Sequence, residues 1–381
     1  MRSIIVVVFI LLHVSLPAKE NLYLHFPSEL PSHKTQTSFG IELIRLINNA
    51  ESEIKFAIYG LRGQEEILQA LILAKKRGVS IQGVVDSDPH GKNYYDDTHL
   101  LYEHFDMQTD KISYIMHNKF FIFDDKILWS GSANLSDTGT GGYNANNVVV
   151  IENEKIASIY EDEFDQMFAK EKFNNKKREL SYKDIKTSDS TISIFFSPKS
   201  NTYEEGIKEL VQNAKKYIYI PIFYLTHEDL AVQLIKAHKR GVEIKIILDA
   251  TAARNNYSKH KLLRQEGIKV KVENFGGKMH AKSMIVDDRF IVSGSMNFTK
   301  AGNSKNDENT LIIQNEKLAK EYRVYFMTLW RQIPSKYLHV DPNPESLESG
   351  KSYKDGIDND FDGRKDDEDE ACLKKLKDLK I

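Results

Sequence analysis

The sequence predicts an α/β protein built from two copies of one unit. Three observations predict it. AKKRGVSIQGVVD at 74–86 resembles AHKRGVEIKIILD at 237–249. HNKFFIFDDKILWSGSANLS at 117–136 resembles HAKSMIVDDRFIVSGSMNFT at 280–299. Gly78 with Gly241, Asp86 with Asp249 and His117 with His280 are each 163 residues apart. After one deletion the offset is 162, pairing Asn147 with Asn309 and Tyr160 with Tyr322. A constant offset over most of each half is the mark of a duplicated fold unit.

In chain order, Arg2, the apolar run Ile4–Leu12 and Pro17-Ala18 have the layout of a secretory signal over residues 1–18, so export to the periplasm or medium is expected. The first unit is expected over 19–168. Phe39–Ala50 has helical spacing, with apolar Ile41, Ile44, Leu46 and Ile47. Glu53–Tyr59 reads as a strand, Glu65–Arg77 as an amphipathic helix stopped by Gly78, and Val79–Val85 as a strand. Lys119–Asp124 and Lys126–Trp129 read as strands joined at Asp124-Asp125. The charged, apolar-poor stretch 169–190 is expected as a linker. The second unit, over 191–335, repeats the series as Glu204–Lys215, Tyr217–Phe223, Asp229–Arg240 and Val242–Leu248. Strand, helix, strand in succession implies βαβ units and a mainly parallel sheet in each copy.

Residues 336–381 form an acidic tail. Within it Asp358, Asp360 and Asp362, with Gly363 at the turn, then Asp366 and Asp369, occupy positions 1, 3, 5, 6, 9 and 12 of a calcium loop. An Asp stands where that pattern has a bidentate Glu, and no amphipathic helix leads in. A structural calcium ion and a solvated charge run are both compatible with this stretch.

Composition narrows the function classes. The chain has 381 residues, 41% hydrophobic and 28% charged, with net charge -2. That balance disfavours holding nucleic acid by bulk charge and leaves room for a local groove. A single cysteine, Cys372, excludes intrachain disulfides and CxxC zinc sites. From Asp341 onward the net charge is -5, so the body carries +3.

Each copy carries His-x-Lys-x4-Asp-x6-Gly-Ser-x-Asn: His117, Lys119, Asp124, Gly131, Ser132 and Asn134, then His280, Lys282, Asp287, Gly294, Ser295 and Asn297. Residues two apart on a strand face one side, so an imidazole and an ammonium can meet one oxyanion. Ser and Asn can donate to the same phosphate oxygens. Two facing copies would put imidazoles on opposite sides of one phosphorus, one as nucleophile and one as general acid. Two lysines neutralise the phosphate, so no catalytic cofactor is expected. Asp124 and Asp287 fit a turn as well as a catalytic role. The Tyr- and His-rich insert Ser87–Asp110 reads most simply as a polar surface loop.

These residues resemble the paired HKD motifs of the phospholipase D superfamily, over about 38–332. The resemblance implies a pair of α/β/α sandwiches sharing one active site and acting through a covalent phosphohistidine. The second half looks closest to the small endonuclease and cardiolipin-hydrolase branch, whose single-motif chains dimerise. Both motifs lie in one chain here, so a monomer is expected. The family often places an acid about 28 residues after the His. Glu308 fits that role for His280, whereas the first copy has Asn146. On that basis His280–Glu308 is the more basic pair, though in many relatives the first His is the nucleophile. Phospholipid head-group hydrolysis, with peripheral membrane contact, is the leading expectation. A secreted nuclease acting on DNA or RNA and a non-enzymatic calcium-binding or surface-binding protein are the alternatives.

Overall fold

The computed structural model describes residues 19–87, 94–110, 114–359 and 363–366. The signal-like segment therefore lies outside the described residues, as do Asp360, Asp362 and Asp369. No helix among the described residues is long and apolar enough to cross a membrane.

The two copies form two sheets of matching order. The first contains β1 (Lys19–His25), β2 (Glu53–Ile58), β3 (Ser80–Val85), β4 (Asp106–Thr109), β5 (Phe120–Phe123), β6 (Ile127–Gly131) and β7 (Asn146–Glu152). Its order is β1-β7-β6-β5-β2-β3-β4. The second contains β8 (Ser181–Lys186), β9 (Thr191–Ser197), β10 (Tyr217–Ile222), β11 (Glu243–Leu248), β12 (Lys269–Val272), β13 (Met284–Val286), β14 (Phe290–Gly294) and β15 (Glu308–Gln314). Its order is β8-β9-β15-β14-β13-β10-β11-β12.

The sheets are mixed, which corrects the expectation of mainly parallel pairing. Within these two sheets only β2-β3-β4 and β10-β11-β12 pair in parallel. The motif strands pair antiparallel because tight Asp-Asp turns reverse the chain at once. Asp124, Asp125, Asp287 and Asp288 all have φ between 50° and 58°. Two successive left-handed residues make the turn whose twist suits a hairpin. The stretch 169–190 is more than a linker, since β8 is an edge strand of the second sheet. β1 likewise pairs along its whole length with β7. Glu204–Lys215 is not one regular helix: a π turn at Tyr203–Ile207 precedes an α turn at Lys208–Asn213.

Helices Ser38–Asn49 and Glu65–Lys76 cover the outer face of the first sheet, through Leu43, Ile47, Ile67 and Leu71. A further core lies between the copies. There Tyr160, from helix Glu154–Phe168, packs edge-on against Phe120 of the first sheet and Phe196 of the second. Helix Glu316–Gln332 matches it, with Phe326 stacked on Tyr219 and the Tyr325 hydroxyl donating to the His25 carbonyl. Both helices start at an Asn whose side chain accepts a first-turn N–H, Asn153 from Ile156 and Asn315 from Leu318.

A buried ion cluster ties the connector to this core. The Lys177 ammonium meets Glu163 and, at 2.6 Å, Asp307. Asp307 also accepts the Asn174 backbone N–H. Removing the cation strands two carboxyls in a dry interior, so Lys177→Met should cost about 3–5 kcal/mol of stability. Urea unfolding monitored by circular dichroism checks this.

The tail is no free charge run. Glu345, Ser346, Ser349, Ser352 and Asn359 are buried. The Asn359 carbonyl accepts from Thr251 Oγ1 at 2.6 Å and Lys278 Nζ at 3.1 Å. Asp355 accepts from the Tyr143 hydroxyl of the first copy. The carboxylates of Asp358 and Asp366 accept the N–H groups of Gly363 and Gly356.

Candidate active site

Both motif histidines sit where the two copies meet, and the backbone fixes them reciprocally. The His117 N–H donates to the Asp307 carbonyl at 2.8 Å, and the His280 N–H donates to the Ala145 carbonyl at 2.9 Å. Each histidine is thus anchored to the residue just before the opposite copy's strand β15 or β7.

The side chains cross the same way. His117 Nδ1 lies 2.8 Å from Glu308 Oε2, and His280 Nδ1 lies 3.1 Å from Asn146 Oδ1. This overturns the expected pairing of Glu308 with His280. The carboxylate serves the other copy's histidine, and the basicity argument passes to His117 with it. Ser295 Oγ donates to Glu308 Oε2 at 2.6 Å, and Ser132 Oγ donates to Asn146 Oδ1 at 2.9 Å. The two serines, expected to hold phosphate, therefore aim the groups that aim the histidines.

The lysines are almost wholly enclosed, Lys119 at 0% and Lys282 at 1% exposure, while His117 and His280 keep 9% and 8%. Of these four side chains the two histidines keep the greater access to solvent. Each ammonium donates to the carbonyl of its own motif histidine at 2.8 Å. Lys282 Nζ also lies 2.9 Å from His280 Nε2. Burial pulls Lys119 down to about 7, against the attraction of Glu308 and Asp86. Burial pulls His117 down to about 4, with Glu308 opposing and Lys119 reinforcing. His280 is driven well below its ordinary value by burial, then by Lys282 and Lys119, and its Nδ1 meets the neutral Asn146 where His117 meets a carboxylate. Both imidazoles are therefore neutral near pH 7. His117 donates Nδ1–H to Glu308, which leaves the lone pair on Nε2.

Asp124 and Asp287 are not in the site. Asp124 lies at the far end of β5, accepting from the backbone N–H groups of Glu51, Ser52 and Glu53. Asp287 does the same for Lys215, Lys216 and Tyr217. Burial works to raise the Asp124 carboxyl, but the donated N–H groups outweigh it and hold it low. Both aspartates lock the turn that enters the neighbouring antiparallel strand, β2 or β10, a structural role.

Asn134 and Asn297 differ from each other. Asn134 Nδ2 donates to the Tyr95 hydroxyl at 2.6 Å, while Asn297 Oδ1 accepts the Tyr224 N–H at 3.3 Å. Tyr95 packs edge-on against Tyr59, which in turn contacts the His117 ring. The insert is thus partly a wall of the site, not a plain surface loop. On the other side Phe223 lies against His280.

Two residues that the motif reading left unassigned complete the site. Asn147 Nδ2 donates to Ser293 Oγ and Asn309 Nδ2 to Ser130 Oγ, each at 2.7 Å and each across the copies. Their matched register was the available signal. For metals, the one acidic cluster of suitable spacing among the described residues is Glu53, Asp125 and Glu161. The Lys55 ammonium already sits among those carboxylates.

The arrangement places one imidazole backed by a carboxylate beside a second imidazole and two lysines, which suits in-line displacement at a phosphodiester. Comparison with known proteins agrees. The family model described as "Cardiolipin synthase, PLD-like domain" matches residues 43–168 and 207–330, one match per copy. A protein named phospholipase D from Rickettsia prowazekii is 29% identical over 160 residues, covering 42% of this chain and 78% of that one. Human mitochondrial cardiolipin hydrolase is 36% identical over 113 residues, covering 29% of this chain and 44% of its own length. The crystal structure of phosphatidylserine synthase from Haemophilus influenzae superposes with a TM-score of 0.64 over 86% of this chain and 91% of that one, at 17% identity, and so shares the two-unit fold. With the motif, the duplicated fold and the reciprocal site in agreement, the chain belongs to the phospholipase D superfamily, as a phosphodiesterase that carries the PLD-like domain twice.

Proposed function

We propose that the protein hydrolyses head-group phosphodiesters of phospholipids, with His117 as nucleophile and His280 as general acid and base. The crosswise His117–Glu308 bond carries the assignment, since it gives only one histidine a carboxylate. His117 Nε2 attacks phosphorus, forming a P–N bond as the P–O bond to the leaving group breaks. His280 gives its proton to the departing oxygen. Water then loses a proton to His280 and attacks phosphorus, breaking the P–N bond to yield the phosphomonoester. Glu308 balances the cationic phosphohistidine, and Lys119 and Lys282 balance the non-bridging oxygens. A bound phosphodiester anion offsets the lysine field at His280, so its protonation accompanies substrate binding.

The names of the relatives, phospholipase D and cardiolipin hydrolase, support a lipid substrate. The purified protein assayed on phosphatidylcholine vesicles, cardiolipin vesicles and single-stranded DNA tests it. Release of head-group alcohol or of phosphatidic acid is expected. Cleavage of DNA alone would overturn the lipid assignment, and inertness towards all three would overturn the activity itself.

A further inference from the structure

Behind each catalytic strand lies a second, repeated constellation that the HKD motif does not include. Asp86 follows β3 and Asp249 follows β11, at equivalent places in the two copies. Asp86 Oδ2 accepts the Met116 N–H at 2.5 Å, and Asp249 Oδ2 accepts the Met279 N–H at 3.1 Å. Met116 and Met279 immediately precede His117 and His280.

A second carboxyl stands beside each. Asp110, the residue after β4, accepts the Ser87 N–H at 2.7 Å through Oδ1. Glu273, the residue after β12, accepts the Ala250 N–H at 3.1 Å and the Phe275 N–H at 2.5 Å. Asp249 also caps the short helix that follows it, accepting the Ala252 N–H at 2.9 Å. All four carboxyls are 1% exposed. Two buried acids per copy, at matched positions and each holding backbone N–H groups beside the site, are costly unless they serve something.

We propose that Asp86 and Asp249 are positioning residues for the phosphodiesterase reaction, each holding the backbone one residue before a catalytic histidine and supplying negative charge to the lysine two residues after it. Asp110 and Glu273 fix the adjoining backbone from the neighbouring strand ends. The proposal rests on the reading of the site as a phosphodiesterase.

The charges around the lysines follow this plan. Lys119 faces Glu308 and Asp86, with the Tyr59 ring 5.9 Å away. Lys282 faces Lys119, Glu308 and Asp249, with its own His280 in hydrogen-bond contact and the Phe223 ring 5.2 Å away. In the second copy Lys278 adds a cation beside Asp249 and Glu273. Asp249 and Glu273 are hydrogen-bonded to each other, and burial together with Asp249 holds the Glu273 proton on. The pair thus presents one negative charge. A desolvated ammonium stays protonated only with an anion close by.

The pH profile separates this role from a purely structural one. Lys119, drawn down to about 7, and Lys282, drawn well below its ordinary value, should together set the alkaline limb of kcat/KM. Removing a facing negative charge lowers the ammonium's proton affinity, so the limb moves to lower pH. Asp86→Asn should shift it down by about one unit while the melting curve stays cooperative. Asp249→Asn should shift it in the same direction through Lys282, and Asp249→Glu should move it back toward the wild-type position. A folded Asn variant whose profile is a uniformly lowered copy of wild type would overturn the proposal. So would failure of both Asn variants to fold, which would make these residues structural. The wild type is profiled first, so an inactive wild type counts against the phosphodiesterase reading and not against the carboxyl pairs.

Discussion

His117→Asn should lower kcat by at least about 10⁴-fold, as loss of a covalent nucleophile does in comparable catalytic constellations. It should also abolish labelling when the enzyme is acid-quenched during turnover of a substrate carrying radioactive phosphorus. His280→Asn should be as inactive in steady state but should still accumulate label with a substrate whose leaving group needs no proton. That difference tests the order of the two histidines. It follows from Glu308, which receives the His117 Nδ1–H at 2.8 Å and stands ready to balance a cationic phosphohistidine. His280 has only the neutral Asn146 behind it. The pH dependence has a definite sign. The nucleophile must be neutral, and His117 titrates at about 4 because burial outweighs the pull of Glu308. The acid limb of kcat/KM should therefore fall near pH 4, well below that of an ordinary imidazole. Label on the His117→Asn protein and not on His280→Asn would reverse the assignment.

Much of this site is legible in the sequence. The duplication is visible because the offset stays at 163 from Gly78 through His117 and, after one deletion, at 162 for Asn147 and Tyr160. The His and Lys positions follow from the repeated motif, although both pairs lie just before strands β5 and β13 and not within them. The partner of each histidine is not legible. Glu308 lies 28 residues after His280, and Asn146 lies 29 after His117. That spacing fits contact within a copy as well as contact across the interface. Both residues open strands that begin beside the opposite copy's motif, as the bridges Met116–Asp307 and Ala145–Met279 show. Only the three-dimensional register reveals the crossing.

Other differences have similar causes. Asp124 and Asp287 share the motif's spacing but sit at the turn end of their strands, five residues past the lysine. A strand rises about 3.3 Å per residue, which puts them well over 10 Å from the lysine backbone. The edge strands β1 and β8 are weakly apolar, so little in their composition marks them as strands. They form because the exposed edges of β7 and β9 have backbone groups to satisfy. The tail's polar anchors, Asn359 and Glu345, carry no hydrophobic pattern by which docking could be read.

Glu308→Gln should lower kcat by about 10²–10³-fold with little change in KM, somewhat less than loss of the orienting Asp in a Ser-His-Asp triad. The substitution keeps shape, and the amide oxygen can still accept from His117 Nδ1. What it removes is the charge. Glu308 is fully enclosed, and its Oε2 receives both His117 and Ser295. In the free enzyme that buried charge costs desolvation, so the melting temperature of Glu308→Gln should hold or rise. In the phosphoenzyme the same charge faces a cation in a dry site, where an uncompensated imidazolium is expensive. The loss therefore falls on the covalent state and the transition states flanking it, which explains why kcat suffers and KM does not. The acid limb should also move below its wild-type position, because the partner that raises the His117 proton affinity is gone. Asn146→Ala provides the internal comparison, since Asn146 orients His280 without charge. Its kcat should fall only about 10-fold, the scale of losing one neutral hydrogen bond. Equal losses in the two variants, read from kcat, would show that the carboxylate contributes orientation alone and that the two halves of the site are chemically equivalent.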